Sequence, residues 1–185
     1  MVSIAEELEE SEMLLAVTPP EYTHAFGIST IRELAGHGCP GIVVSFNEPY
    51  AILNKALVKE GVDTSMIYFI DCITAFASTM PQEVPNCAFV KNPGDLTGLG
   101  IAVAKALPFV SGAERSYMLV DSISTVLVYA PVDSVIKFTH MLINKLKINS
   151  ICGLFISSTN NIDPVAASQI TSFVRKRLDI SPPEE

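Results

Sequence analysis

Short apolar runs, each followed by a polar residue and then by a helix-like stretch, constrain the fold of this chain most strongly. The runs at Met13–Val17, Gly41–Phe46 and Met66–Ile70 are continuous and do not alternate apolar with polar residues. A strand that is apolar on both sides has to be covered on both sides, as in parallel sheets whose strands are joined by helices. The sequence therefore predicts an α/β fold with three layers, a parallel sheet covered by helices on both faces.

The same alternation continues along the chain. Further strands are predicted at Cys87–Val90, Ser116–Val120 and Ser150–Ser157, with Val126–Tyr129 as a candidate extension. Helices are predicted at Pro19–Gly36, Pro49–Glu60, Asp95–Leu107 and Pro131–Leu146. A last helix is predicted to start at Asp163, with an apolar stripe that ends at Leu178. A long loop, Thr74–Asn86, carries Phe76 and Met80 and is predicted to be a mobile flap or a segment that docks a partner.

Three segments divide the chain. Residues 1–12 form an acidic N-terminal segment, helical or frayed, residues 13–180 a single domain, and residues 181–185 a polar tail. The N-terminus lacks the basic and then apolar pattern of a signal peptide, and no apolar stretch is long and charge-free enough to span a membrane. The four cysteines contain no CxxC pair, so we expect buried free thiols and no metal site. Reduced thiols predict a cytoplasmic protein, and the lack of an apolar span predicts no membrane contact.

The charge balance limits the possible partners. The net charge of −8 argues against binding to a nucleic acid backbone, which needs a basic face. The one basic cluster, Arg175-Lys176-Arg177, is predicted at the end of the last helix, where positive charge complements the helix dipole.

Polar residues follow four of the predicted strands. Parallel sheets bind their ligands beyond the carboxyl ends of the strands. The candidate ligand-binding residues at this edge are Thr18, Asn47, Glu48, Asp71 and Asp121.

The order of these strand endings resembles the RecA-like ATPase family, and especially its archaeal and cyanobacterial KaiC-like branch. The segment Gly41–Pro49 resembles the family's second strand, which ends in a pair of glutamates. Gly61-Val62-Asp63 and Ile67–Asp71 resemble the passage that follows, and Tyr117–Ser124 resembles the Walker B strand with its serine-rich turn. The resemblance covers residues 13–178 and implies a RecA-like core.

The resemblance also implies an ATP site, in which Asp121 would hold Mg²⁺ through water and Glu48 would be a general base. The sequence departs from the family at two places. No glycine and no lysine lies between Val17 and Phe26, where the phosphate loop GxxxxGK[ST] belongs, and Asn47 replaces one of the paired glutamates. Glu48 and Asp121 are therefore vestigial catalytic candidates.

The segment in place of the phosphate loop is Thr18-Pro19-Pro20-Glu21. Its two prolines lack the N–H groups that a phosphate site uses. Its spacing matches a capping box, in which Thr18 caps a helix and Glu21 reaches back to it. A non-standard nucleotide pocket is the other interpretation of this segment.

The carboxylates at the strand ends also have structural interpretations. Asp121 is predicted to cap the following turn through Ser122 or Ser124, and Asp71 to act in the same way beside Thr74. Glu48 would lie favourably at the start of the next helix.

Two function hypotheses follow. The first is a non-catalytic RecA/KaiC-like domain that needs no cofactor and acts by self-association or by binding a partner protein, as the rings and filaments of the family imply. The alternative is a protein that binds a nucleotide or another small ligand at the strand edge, with ATP and Mg²⁺ as cofactors. The missing phosphate loop argues against enzymatic activity but does not decide the question.

Overall fold

The computed structural model describes residues 3–78, 81–159 and 163–182. The strands are β1 Met13–Thr18, β2 Gly41–Ser45, β3 Ile67–Asp71, β4 Cys87–Phe89, β5 Tyr117–Asp121, β6 Cys152–Ser158 and β7 Lys176–Asp179. The helices are α1 Ile4–Ser11, α2 Thr23–Gly36, α3 Tyr50–Lys59, α4 Thr74–Ala77, α5 Leu96–Val110, α6 Ile123–Tyr129, α7 Val132–Ile148 and α8 Pro164–Phe173. Two 3₁₀ turns lie at Pro20–Tyr22 and Thr64–Met66.

These strands form one sheet in the order β4-β3-β2-β5-β6-β1-β7, and every pair is parallel. Met13, Leu15 and Val17 of β1 pack into a core shared with α5, α7 and α8. Leu14 and Ala16 of the same strand pack on the other face, against α1, α2 and α3. The continuous apolar runs arise because both faces are covered, and the predicted three-layer α/β fold is confirmed.

β2 and β5 are neighbours in the sheet, and the connections that follow them run towards opposite edges of it. From β2 the chain continues through α3 to β3 and then to β4, on one side of the sheet centre. From β5 it continues through α6 and α7 to β6 on the other side. Such a reversal leaves a crevice at the carboxyl ends of the two strands, since their connections leave in opposite directions.

The predicted end of the last helix is wrong. Helix α8 ends at Phe173, and Lys176–Asp179 pairs with β1 as an edge strand. Lys176 contacts Glu7, and Arg177 contacts Asp179, so the basic cluster does not lie at a helix end. The exposed edge strand carries charged residues, which protect a sheet edge from unwanted pairing. Because these residues replace an apolar run, the pattern that predicts the other strands is missing here.

Two other segments differ from the prediction. Val126–Tyr129 belongs to helix α6, although its β-branched and aromatic residues favour a strand. The loop Thr74–Asn86 begins with the short helix α4, and Met80 of that loop lies outside the described residues.

The acidic N-terminal segment contains helix α1, whose Ile4 and Leu8 are buried against the sheet. Residues 183–185 of the polar tail lie outside the described ranges. Among the described residues, no helix has the length and apolar character required to cross a bilayer.

The cysteines are free thiols, as predicted. Cys72 is buried, whereas Cys39, Cys87 and Cys152 are only partly buried.

Candidate functional site

A cleft of about 540 Å³ lies at the carboxyl ends of the central strands. Its walls are the first turn of α2, the residues that follow β2, and the segment from the end of β5 through α6. Three of the five predicted ligand-binding residues, Asn47, Glu48 and Asp121, line it. The cleft therefore coincides with the crevice that the reversal of chain direction creates.

Thr18 does not line the cleft. It is buried, and its hydroxyl forms a hydrogen bond of 2.7 Å with the hydroxyl of Thr23. The Thr23 hydroxyl in turn donates to the carbonyl of Pro19. The hydroxyls of Thr18 and Thr23 and the carbonyl of Pro19 are thus paired with one another.

The capping box predicted at Thr18 and Glu21 is wrong. Pro19 has φ −58° and ψ 142°, an extended conformation, and no side chain caps the turn or the helix that follows. A residue before proline is excluded from the helical region, and Pro19 precedes Pro20. Helix α2 therefore begins only at Thr23, and the N–H of Tyr22 donates to the carbonyl of Pro19 at 3.0 Å.

Asp71 is buried beside α3 and α4 rather than in the cleft. One carboxylate oxygen accepts from the N–H groups of Ile73 and Thr74, at 2.9 and 2.8 Å. The other accepts from the N–H of Tyr50 at 2.7 Å and from the Thr74 hydroxyl at 2.5 Å. The predicted structural role of Asp71 beside Thr74 is confirmed, and it extends to the start of α3.

A chain of hydrogen bonds crosses the cleft from Asp121. Asn47 donates its side-chain N–H to Asp121 at 3.0 Å and accepts the Thr125 hydroxyl at 2.6 Å. The Thr125 hydroxyl also lies 2.9 Å from the Ser122 hydroxyl. Because Thr125 uses its proton on Asn47, Ser122 is the donor in this contact.

The hydrogen-bond network continues from Ser122 to Ser158 at the end of β6. Ser122 and Ser124 lie 3.0 Å apart, and the Ser158 hydroxyl donates to Ser124 at 3.2 Å. Each hydroxyl of this network thus donates to the neighbour that lies one step closer to Asp121, so all of these hydrogen bonds point the same way. Ser122 also caps α6 by accepting from the N–H of Thr125, so the prediction that Asp121 caps this turn is wrong.

Asp121 is the most perturbed carboxyl group of the cleft. Its pKa is raised to about 6, mainly by burial and to a smaller extent by Glu48, while the hydrogen bond from Asn47 and the nearby His24 lower it. The group accepts a proton near neutral pH more readily than an ordinary aspartate does. Its charge at neutral pH is therefore maintained at a cost in stability.

We expect Asp121→Asn to make the protein more stable at pH 7, by about 1–2 kcal/mol after allowance for the partial exposure of the group. Between about pH 4 and pH 6 the folded wild type holds this proton more tightly than the unfolded chain does, so the Asp121 contribution falls as the pH rises. Urea unfolding of both proteins at several pH values measures the effect. A stability difference that does not change between pH 4.5 and pH 7 would contradict the assignment.

The cleft lining carries acidic rather than basic groups. Among its described residues His24 is the one side chain that can carry a positive charge, whereas Glu48 and Asp121 are acidic. Phosphate sites in proteins rely on lysine, arginine or a row of free N–H groups. In the described ranges no three His, Cys, Asp or Glu side chains are grouped as a metal site would require.

Sequence reasoning missed several residues of the cleft, among them His24, Thr125, Ser158, Val128 and Tyr129. Ser158 ends β6 and could have been found by the same rule that selected Asp121. The others lie on α2 and α6, and no local pattern marks them.

Solved structures with the same fold include two archaeal proteins. The KaiC-like protein PH0186 from the hyperthermophile Pyrococcus horikoshii OT3 has a TM-score of 0.63 at 10% identity, covering 92% of this chain and 72% of that one. The uncharacterized protein PH0321 from Pyrococcus horikoshii, solved in complex with an unknown peptide, has a TM-score of 0.66 at 13% identity, covering 93% and 81%. These similarities establish a KaiC/RecA-like fold.

No curated protein matches the chain. A family profile matches residues 29–174, a range that holds α3 to α8, most of α2 and all strands except β1 and β7. The chain belongs to this family of unknown function, DUF7504.

Proposed function

We propose that this chain is a RecA/KaiC-like domain that does not hydrolyse ATP and acts by self-association or by binding a partner protein. The observation that carries the proposal is the connection between β1 and α2. Pro19 and Pro20 have no N–H to offer, and the N–H of Tyr22 is already donated to Pro19. Three of the four positions from Pro19 to Tyr22 therefore have no free N–H for a triphosphate placed there.

The hydrogen-bond network of the cleft supports the same conclusion. Asn47, Thr125, Ser122 and Ser124 already satisfy one another, so a phosphate would have to break these bonds. It would also approach the negative charge of Asp121 without a lysine or arginine in the described lining. Both effects oppose nucleotide binding.

An apolar patch at the rim of the cleft supports a protein-binding role. The rim patch consists of Phe76, Val128 and Tyr129, and its members are 50%, 77% and 40% exposed. Phe76 packs edge-on against Tyr129, with their ring centroids 5.7 Å apart, so α4 and α6 present one surface. Exposed apolar groups that cluster beside a cleft are typical of protein interaction sites. The peptide bound to PH0321 adds support, because that protein shares the fold.

Calorimetric titration with Mg-ATP and Mg-GTP, together with a hydrolysis assay, tests the proposal. We expect no binding up to millimolar nucleotide and no hydrolysis above the rate without protein. Micromolar binding of either nucleotide would overturn the non-catalytic assignment.

The proposed self-association or partner binding is tested by light scattering over a range of concentrations and by affinity capture from the native cell extract. Val128→Asp places a charge in the rim patch, and Ile148→Asp is the matched control, since Ile148 is 84% exposed at the end of α7. We expect the mass increase, or the captured partner, to disappear in Val128→Asp and to remain in Ile148→Asp. A wild type that is monomeric at every concentration and captures no protein contradicts the proposed interaction.

The alternative function, binding of a nucleotide or small ligand at the strand edge, draws support from the cleft itself. Its volume is sufficient for a small molecule, and Asn47, Glu48 and Asp121 converge in it. The nucleotide titration decides between the two, and a bound nucleotide would bring ATP and Mg²⁺ into this cleft.

A further inference from the structure

We propose that the cleft at the carboxyl ends of the strands binds a lysine or arginine side chain of a partner protein, and that an apolar residue next to this cation packs on the rim patch. The inference rests on the proposed protein-binding function and adds the chemistry of the partner segment. Its basis is a pair of carboxylates without ion-pair partners beside an exposed apolar surface.

The two carboxylates of the cleft are not neutralised within the described part of the chain. Asn47 donates to Oδ1 of Asp121, while Oδ2 accepts no hydrogen bond from a described residue. Gly27 of α2 faces Oδ2 without a side chain, and even a Cβ there would lie 3.8 Å away. Glu48 bonds to Ser45 through its own N–H and carbonyl, not through its carboxylate. The ion pairs of the described residues all lie elsewhere.

The burial of Asp121 makes the approach of a cation favourable. Burial is the main cause that raises its pKa, so the charged form is held at a cost. A cation beside a partly dehydrated carboxylate offsets that cost, and such charge pairs give an interface its specificity. A carboxylate or phosphate of a partner would increase the cost instead. The cleft therefore selects partner segments by positive charge.

The rim patch lies where a bound side chain would leave the cleft. Val128 and Tyr129 belong to the rim patch and also line the cleft with Asp121. Lysine and arginine carry their charge on a long apolar stem, which packs well on such a surface. The Tyr129 ring offers the cation a further favourable contact. A neighbouring apolar residue of the same segment would then cover Phe76 and Val128.

The overall charge favours a basic partner over a second copy of this chain. The net charge is −8, so two copies repel each other whereas a basic protein is attracted. The three exposed side chains of the rim patch also offer apolar surface outside the cleft, which a small amine bound at Asp121 would leave uncovered. An exposed peptide segment supplies the cation and the apolar cover together.

Three blocked peptides test the cation and the apolar residue separately. The lysine peptide is acetyl-Ala-Leu-Lys-Leu-Ala-amide. The second peptide has acetyllysine in place of lysine, and the third has serine in place of both leucines. In NMR-detected titrations of the full chain, we expect the lysine peptide to bind about tenfold more tightly than either of the others, because each lacks one of the two contacts.

Charge-removing variants locate the site of the cation. Asp121→Asn keeps an acceptor for Asn47 but removes the charge, and Glu48→Gln removes the second charge. Each should reduce the preference for lysine over acetyllysine about fivefold. Glu10→Gln is the matched control, since Glu10 is an exposed glutamate of α1 that does not line the cleft. It should bind all three peptides like the wild type.

The pH dependence identifies Asp121 as the group that meets the cation. Asp121 lies near two other titratable groups, His24 of α2 and Glu48 after β2. Between pH 7 and pH 5 Asp121 takes up a proton and loses its attraction for lysine, so the lysine peptide should bind about fivefold more weakly at pH 5. The loss should be much smaller in Asp121→Asn. An equal loss in that variant would assign it to His24 and overturn the proposal.

Several other results would overturn the proposal. They are equal binding of the lysine and acetyllysine peptides, an unchanged preference in both Asp121→Asn and Glu48→Gln, and no binding at millimolar peptide. n-Butylammonium that binds as tightly as the lysine peptide would indicate a small-amine site instead. Self-association that Asp121→Asn abolishes, without any lysine preference, would indicate a second copy in the cleft.

Failure of this inference is distinguishable from failure of the proposed function. A chain that captures a partner or self-associates but shows no preference for the lysine peptide keeps its interaction role and loses only the cation site. Micromolar nucleotide binding in the calorimetric titration overturns the non-catalytic assignment whatever the peptides do.

Discussion

Replacing Asp71 by alanine is expected to lower the free energy of unfolding by about 3–5 kcal/mol. The carboxylate is 1% exposed and accepts three backbone N–H groups, those of Tyr50, Ile73 and Thr74, as well as the Thr74 hydroxyl. Each donor left without a partner in the interior costs about 1–3 kcal/mol, and water entering the space relieves part of the sum. The loss is large because one side chain joins the end of β3 to the starts of α3 and α4.

Urea unfolding of the wild type and the variant measures this effect. Asp63→Ala is the matched control, since Asp63 also accepts an N–H and a hydroxyl, both from Ser65, but does so at the surface. We expect a clearly smaller loss for the control, because water replaces the lost carboxylate there. Losses of equal size would show that burial of Asp71 does not determine its contribution.

The sheet could be predicted from the sequence because burial on both faces leaves a local signal. Val43 and Val44 of β2 point to opposite faces, and both are buried, so the strand shows as a continuous apolar run. Edge strand β7 has no such signal. Its side chains are largely exposed, and Lys176, Arg177 and Asp179 contribute charge instead of apolar surface.

The members of the cleft could be predicted only in part. The strand-end rule found Asn47 and Asp121, because it depends on local position alone. Their contact with each other joins residues 74 positions apart, and the contact of Asn47 with Thr125 joins residues 78 positions apart. These contacts require β2 and β5 to be neighbours, and strand order is not encoded in any local pattern.

The capping-box prediction failed for a local reason. The spacing of Thr18 and Glu21 fits the motif, but the motif requires a helix that starts directly after Thr18. Two consecutive prolines prevent that start, since each restricts the residue before it to extended conformations. The backbone restriction determined the outcome, and the side-chain pattern did not.

Gly41→Val is expected to lower the free energy of unfolding by about 3 kcal/mol, the upper part of the range for overpacked cores. Gly41 begins β2 and lies beside Tyr117 of β5 in the sheet register. A Cβ at this position would lie 2.2, 2.4 and 2.6 Å from the Cζ, Cε1 and hydroxyl atoms of the tyrosine. Strand propensity alone predicts the opposite result, because valine is favoured in strands.

Urea unfolding, with Gly36→Ala as control, measures the loss. No atom lies within 4 Å of a Cβ at Gly36, so the control should be neutral or slightly stabilising. In a double-mutant cycle Tyr117→Ala should cancel most of the effect of Gly41→Val, since it removes the ring that clashes. Additive losses would mean that strain elsewhere in β2 is responsible.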